Sequence, residues 1–421
     1  MDGGELELPP ERELVYDWNT IGDGEALMPL RGHVDLNDET LRDGLQSPSA
    51  TAPSIEDKIH ILQMLAELGV DALDLGLPGA GPHVVRDVEA LAREIVTSKL
   101  PIAANCAART VRADIEPIAR ISERTGLAIE AACFIGSSPI RQYAEGWTLQ
   151  RMLDLSADAV SFAASQGLPV MFVTEDTTRA RPEVIEALYR TAVEAGARRV
   201  CIADTVGHAT PSGVRRVVEL VRRVVDATGE KVAVDWHGHR DRGLGLVNAL
   251  AAAAAGADRL HGTVLGLGER VGNTPLDLLL VNAVLLGWRQ ADLSRLPDLC
   301  ELVARTTGVP FPDNWPVLGR DAFRTGTGVH AAAIIKARKK GDDWLADRIY
   351  SGVPAALVGR KQVIEVGPMC GLSNVQFWMA EHGVPADDEL AQKIFAAAKA
   401  STHNLTDDQV LAVCREHGVV V

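Results

Sequence analysis

The segment IEDKIHILQMLAELGVDALDLGL, residues 55–77, holds one repeat of the pattern that decides the fold. Residues 55–68 are amphipathic, with Ile59, Leu62, Met64 and Leu65 near helical spacing. Gly69 follows, where helices commonly end in a left-handed residue. The short apolar run 71–77 then reads as a strand. The same alternation recurs on both sides. Strand-like runs lie at 33–37, 101–106, 127–135, 168–174, 198–204, 231–236 and 258–265, which with 71–77 makes eight. Amphipathic stretches separate them at 83–97, 111–124, 148–165, 182–195, 211–227, 243–255 and 275–287. Alternating strand and helix implies a parallel sheet. Eight units fit an α/β fold of the closed (β/α)8 TIM-barrel type, which takes about 250 residues. An open doubly wound sheet is the rival, but no GxGxxG follows the first strand.

This places an N-terminal arm at residues 1–30, the barrel at 31–290 and a smaller, mostly helical C-terminal region at 291–421. Helices are expected there at 296–307, 327–340, 373–383, 387–400 and 406–417. The chain has 421 residues, with 42 Lys and Arg against 57 Asp and Glu, a net charge of −15. That balance argues against a nucleic-acid partner. No charge-free run of about 18 apolar residues is present, so no membrane span is expected. The acidic start, MDGGELELPPEREL, lacks the apolar core of a secretory signal. Six cysteines, at 106, 133, 201, 300, 370 and 414, form no CxxC pair. They read as reduced thiols of a cytoplasmic protein.

Chemistry in such a barrel sits where strands end and βα loops begin. Polar residues gather at five of these points. Glu39 to Gln46 follow the first strand, Glu175-Asp176 the fifth and Asp204-Thr205 the sixth. The seventh ends in His237-Gly238-His239, and Glu269 to Asn273 follow the eighth. Residues two apart on a strand share a face, so His237 and His239 can reach one metal ion. Asp43, on the same rim, completes a two-His, one-carboxylate set, and Asn273 offers a further oxygen. The set admits Mg, Mn, Zn or Co. His208 and His261 read as locally hydrogen-bonded histidines. The basic run Lys336, Arg338, Lys339, Lys340 reads as a solvated helix face, with a grip on an anionic ligand as the alternative.

DETLRDGLQ (38–46), HGHRDRGLG (237–245) and GLGERVGN (266–273) together resemble the DRE-TIM metallolyase superfamily. Within it the chain is similar to the acyl-CoA-dependent 2-isopropylmalate, homocitrate and citramalate synthases. ADTVGHATP (203–211), TGTGVH (325–330), VGR (358–360) and GPMCGLSNV (367–375) extend the resemblance, which runs from about residue 33 to about 375. It implies a metal-dependent Claisen condensation of acetyl-CoA with a 2-oxo acid, thioester hydrolysis and release of CoA. Asp43, His237 and His239 match the divalent-metal ligands and Asn273 the nearby asparagine. Arg42 matches the arginine that stabilises the enolate or alkoxide, and Glu175 an active-site glutamate. Thr205 matches the residue that binds the oxo-acid carboxylate, and Gln46 is grouped with it as substrate-binding. His330 matches the histidine proposed to abstract the methyl proton, although it could instead hold the thioester oxygen. Tyr350 matches a tyrosine that assists it. In this family the histidine-bearing region commonly reaches into the partner subunit, which implies a homodimer.

The chain departs from the family pattern at several points. Arg240 stands where asparagine usually follows the histidine pair, and Arg141 where SxxH is common. Ala132 replaces a fourth-strand histidine, and Val173 a fifth-strand serine. Met171 stands where homocitrate synthases carry an arginine for the distal carboxylate of their substrate. Arg141 and Arg240 would supply positive charge for a dianionic oxo acid, unless both pair with scaffold carboxylates. The chain ends at Val421, so the leucine-regulatory domain of some relatives is not expected. A lyase of the same superfamily, of the hydroxymethylglutaryl-CoA type, and a non-catalytic binding homologue are the alternatives.

Overall fold

The computed structural model describes residues 14–21, 25–26, 30 and 33–419. Most of the arm expected at 1–30 therefore lies outside the described residues. Eight parallel strands among the described residues close into a barrel. They are β1 (Asp35–Asp38), β2 (Ala72–Asp74), β3 (Ala103–Arg109), β4 (Ile129–Gly136), β5 (Val170–Glu175), β6 (Arg199–Asp204), β7 (Ala233–Gly238) and β8 (Arg259–Gly262). β8 pairs with both β7 and β1, which closes the ring. The eight strands lie where the apolar runs place them.

A helix follows each strand in sequence: α1 (Ile55–Glu67), α2 (Pro82–Thr97), α3 (Arg112–Thr125), α4 (Leu149–Ser165), α5 (Pro182–Ala195), α6 (Pro211–Asp226), α7 (Gly245–Ala255) and α8 (Leu276–Leu285). α6 shows why. The Thr210 side chain accepts the Gly213 N–H, and Pro211 sets the first turn. Val214, Val218, Val221 and Val225 then fall on one buried stripe, each contributing about 1.5–3 kcal/mol by leaving water. A short helix at Pro139–Glu145, between β4 and α4, is not anticipated by the pattern. Seven residues are too few to show a helical period.

The chain divides into two compact units. One runs to Pro48 and resumes over Val70–Leu276; it holds the whole strand barrel. The other joins Ser49–Gly69 to Asp277–Val421. The helix α1 thus groups with the C-terminal segment. The Thr51 N–H donates to the Thr307 carbonyl at 2.8 Å, at the end of α9 (Leu296–Thr307). This second unit continues through α10 (Gly328–Lys339), α11 (Asp343–Arg348), α12 (Leu372–Glu381), α13 (Asp388–Ala400) and α14 (Asp407–Glu416). Its core packs Trp378, Met379, Leu390, Ile394 and Val410. The six cysteines are free and buried. No described helix is long and apolar enough to cross a membrane.

Candidate active site

The C-terminal ends of the strands surround a cleft of about 310 Å³. Arg42, Asp43, Gln46, Glu175, Thr205, His237 and His239 all line it. His237 and His239 sit at the end of β7 and just beyond, on one face of the extended chain. Their Nε2 atoms are 3.2 Å apart. Asp43 Oδ2 lies 3.4 Å from the first and 3.7 Å from the second. Ligand atoms around an ion with bonds of about 2.0–2.2 Å stand at much this spacing. Asn273 Nδ2 donates to the same Asp43 oxygen at 2.9 Å, while its buried Oδ1 has no hydrogen-bond partner. Three convergent donor atoms of this chemistry fit a divalent cation.

Glu39 Oε2 lies 2.8 Å from His237 Nδ1. The contact lies on the Nδ1 side of the ring, while its Nε2 faces Asp43 and His239. The other Glu39 oxygen receives His261 Nδ1 at 2.8 Å, and His261 Nε2 meets Asp235 Oδ2 at 2.9 Å. Two carboxylate acceptors call for an N–H on each His261 nitrogen. Asp235 is bound in turn by Arg199 and Arg259, and Arg259 by Glu130. A chain of alternating charges thus runs through the barrel interior to the histidine pair. Arg42 crosses it near the mouth, 3.0 Å from Glu39, 3.4 Å from Asp43 and 2.7 Å from Asp74.

These neighbours decide the protonation states. Burial alone would raise Glu39, but Arg42, His237 and His261 hold it well below the usual carboxylate range. Asp43 is likewise lowered against its burial by Arg42 and His237. Burial, with His237 beside it, pushes His239 down to about 4, so its ring is neutral at pH 7. Burial lifts Asp74 to about 6 in spite of Arg42. Glu175 is raised by burial, with Arg141 opposing.

Other residues of the motifs hold loops. Asp204 accepts from Thr178 Oγ1 at 2.6 Å and from the backbone N–H groups of His208 and Ala209. The Thr205 hydroxyl oxygen accepts the Asp176 N–H at 2.8 Å, which leaves its own proton to donate. Arg240 does not line the cleft. Its Nε donates to the Val271 carbonyl at 2.9 Å, packed against Gly266 and Gly272. Arg141 is at the edge, 3.2 Å from Glu145 and 3.9 Å from Glu175. His330 and Tyr350 belong to the second unit, where their rings stack with centroids 4.0 Å apart, both exposed. The cleft also contains Glu39, Asp74, His261 and Arg270, none of them singled out from the sequence as site residues. Arg270, at φ +57°, pairs with Asp241 at 2.8 Å and donates to the Thr205 carbonyl at 2.6 Å. Its signal was its place in GLGERVGN.

The family model described as HMGL-like matches residues 33–303, which is more than half the chain. The chain belongs to the HMGL-like family. A 2-isopropylmalate synthase described as probable, from Methanopyrus kandleri, is 32% identical over 378 residues, 88% of this chain and 70% of that protein. The homocitrate synthase AksA of the same organism is 33% identical over 376 residues, covering 89% of each. A homocitrate synthase of Sulfolobus acidocaldarius is 33% identical over 380 residues, 88% of this chain and 76% of that one. Among solved structures, the HMG-CoA lyase of Bacillus subtilis superposes with a TM-score of 0.56 at 20% identity, over 68% of this chain and 97% of that one. That likeness concerns the barrel fold.

Proposed function

We propose that the protein condenses acetyl-CoA with a 2-oxo acid and hydrolyses the thioester, giving a 2-substituted malate and CoA. The single observation that carries this reading is the convergence of Asp43, His237 and His239 in a cleft that also presents Arg42 and Thr205. Relatives named homocitrate, 2-isopropylmalate and citramalate synthase align over nearly nine-tenths of the chain and support it. Asp43, His237 and His239 would hold a divalent ion, which would supply a Lewis acid for the ketone of the oxo acid. The Thr205 hydroxyl donates to the substrate carboxylate. The Arg42 guanidinium faces the oxygen on which negative charge grows as the acetyl-CoA enolate attacks. Burial raises the Glu175 carboxyl, with Arg141 opposing, and its place in the cleft wall suits it to exchange a proton with the substrate. Gln46, an exposed residue of the cleft lining, offers a further polar contact to the substrate.

The proton of the acetyl methyl goes to His330, with Tyr350 stacked on it. We assign that pair to the active site of a partner subunit, in a homodimer. The reaction belongs in the cytoplasm, where acetyl-CoA and free thiols occur together.

Release of CoA thiol from acetyl-CoA, in the presence of Mg or Mn and one 2-oxo acid at a time, tests the assignment. Release that depends on the oxo acid supports it. Silence with every oxo acid, together with cleavage of hydroxymethylglutaryl-CoA, would replace it with a lyase.

A further inference from the structure

The cleft has two unlike sides, and strand order sets them apart. The candidate metal ligands come from the ends of β7 and β1, which flank β8. Across the barrel stand β3, β4 and β5. Their register places Ala107 beside Ala132 and Ala132 beside Met171 in one row. Phe134 and Val173 form the row above, and Glu175 sits opposite Gly136 at the rim. All five apolar residues line the cleft. Ala132, Met171, Cys201 and Val173 pack as a small apolar cluster of their own inside the barrel.

Among the described residues, the guanidinium groups nearest that side are already paired. Five carboxylates line the cleft: Glu39, Asp43, Asp74, Glu175 and Glu269. Arg42 is shared among three of them, and Arg270 is bound to Asp241 and the Thr205 carbonyl. Arg141 is paired with Glu145 and Glu175. Arg259 Nη2 comes within 3.4 Å of Met171 Sδ from below, but Asp235 and Glu130 hold it at 2.6 and 2.7 Å.

Resting on the condensation reading, we infer that the 2-oxo acid carries an uncharged, apolar side chain, received by the β3–β5 wall. A carboxylate and ketone anchored at the Asp43, His237 and His239 side direct the rest of the molecule across the barrel. A second carboxylate or a phosphonate there would lose its water against alanine and methionine with no cation to meet it. Glu175 would repel it further. An alkyl chain loses nothing and buries apolar surface.

A matched pair tests this: 2-oxopentanoate and 2-oxoglutarate have the same chain length and differ at the end group. Two measurements are made on the Mn-loaded protein. One is oxo-acid-dependent CoA release; the other is equilibrium binding of each oxo acid alone, by calorimetry. The expected result is a preference for 2-oxopentanoate of at least about tenfold in both. CoA release that favours 2-oxoglutarate would overturn the subsite and leave the reaction standing. No release with either, with binding that still favours 2-oxopentanoate, would overturn the reaction and keep the subsite. No release and no binding preference would remove both. Two variants locate the wall. Met171→Ala should raise the preference for 2-oxohexanoate over 2-oxobutanoate about tenfold, and Ala132→Val should lower it. Unchanged chain-length preference in both folded variants would place the side chain elsewhere.

Discussion

Glu39 lies outside the Asp43, His237 and His239 set but borders it. Its Oε2 is 2.8 Å from His237 Nδ1, and His261 meets its other oxygen at 2.8 Å. Outer partners of this kind are worth about 10–100-fold in metal affinity. Glu39→Gln should therefore weaken Mn binding by about 10–100-fold, measured by calorimetry, with the circular dichroism of the barrel unchanged. His237→Ala should go further and remove stoichiometric metal altogether; retained metal would refute the ligand set. The sequence showed the direct donors because HxH on a strand and an acid on the neighbouring rim are local signals. Glu39 and His261 were visible only as a rim carboxylate and a locally bonded histidine. Their pairing spans 222 residues, and no spacing rule reaches that far. Arg240 was legible as a charge near the histidines. Whether its guanidinium turned to the cleft or to the Val271 carbonyl depended on loop geometry.

At the scale of the element, β7 anchors the interior. Asp235 accepts from Arg199 of β6 and from Arg259 and His261 of β8. Burial opposes its charge, but Arg259 and Arg199 hold its carboxyl well below the usual range. A carboxyl depressed in the folded state binds fewer protons there than in the unfolded chain. Its stabilisation is thus present above the ordinary value, about 3.9, and fades as pH falls below it. Asp235→Asn should cost about 3–5 kcal/mol at pH 7, because it leaves buried guanidinium groups short of an acceptor. In urea melts the loss should shrink as pH falls below about 4. The loop after β8 makes a second case. Gly272 has φ +101°, and a Cβ there would stand 1.8 Å from the Gly266 carbonyl oxygen. Gly272→Ala must open the loop and shift Asn273 away from Asp43, so metal affinity should drop at least about tenfold. The strands and helices themselves were readable to within a few residues, since each carries its own period. Short helices at Pro139–Glu145 and Asp343–Arg348 were not, because neither completes enough turns to show one.

For the molecule as a whole, the division of the chain departs from its linear order. Eight βα repeats read as a self-contained barrel, yet α1 groups with the C-terminal segment through α9. Periodicity reports which face of a helix is apolar and says nothing about what covers it. The same limit applies to His330 and Tyr350, which are exposed in the second unit. The proposed dimer assigns that pair to the partner's barrel, and subunit mixing tests the assignment. A His237→Ala chain has a defective barrel and an intact second unit; a His330→Ala chain has the reverse. Each should be inactive alone. If His330 serves the partner's barrel, a hybrid dimer holds one site with both parts intact. Random mixing makes half the dimers hybrids, so CoA release should return to about a quarter of the unmutated level. If His330 serves its own barrel, both sites of every hybrid remain defective and mixing restores nothing. Methyl proton exchange in acetyl-CoA gives the second readout. His330→Ala should keep its metal and lose the exchange; retained exchange would assign the proton to another base and leave His330 to hold the thioester oxygen.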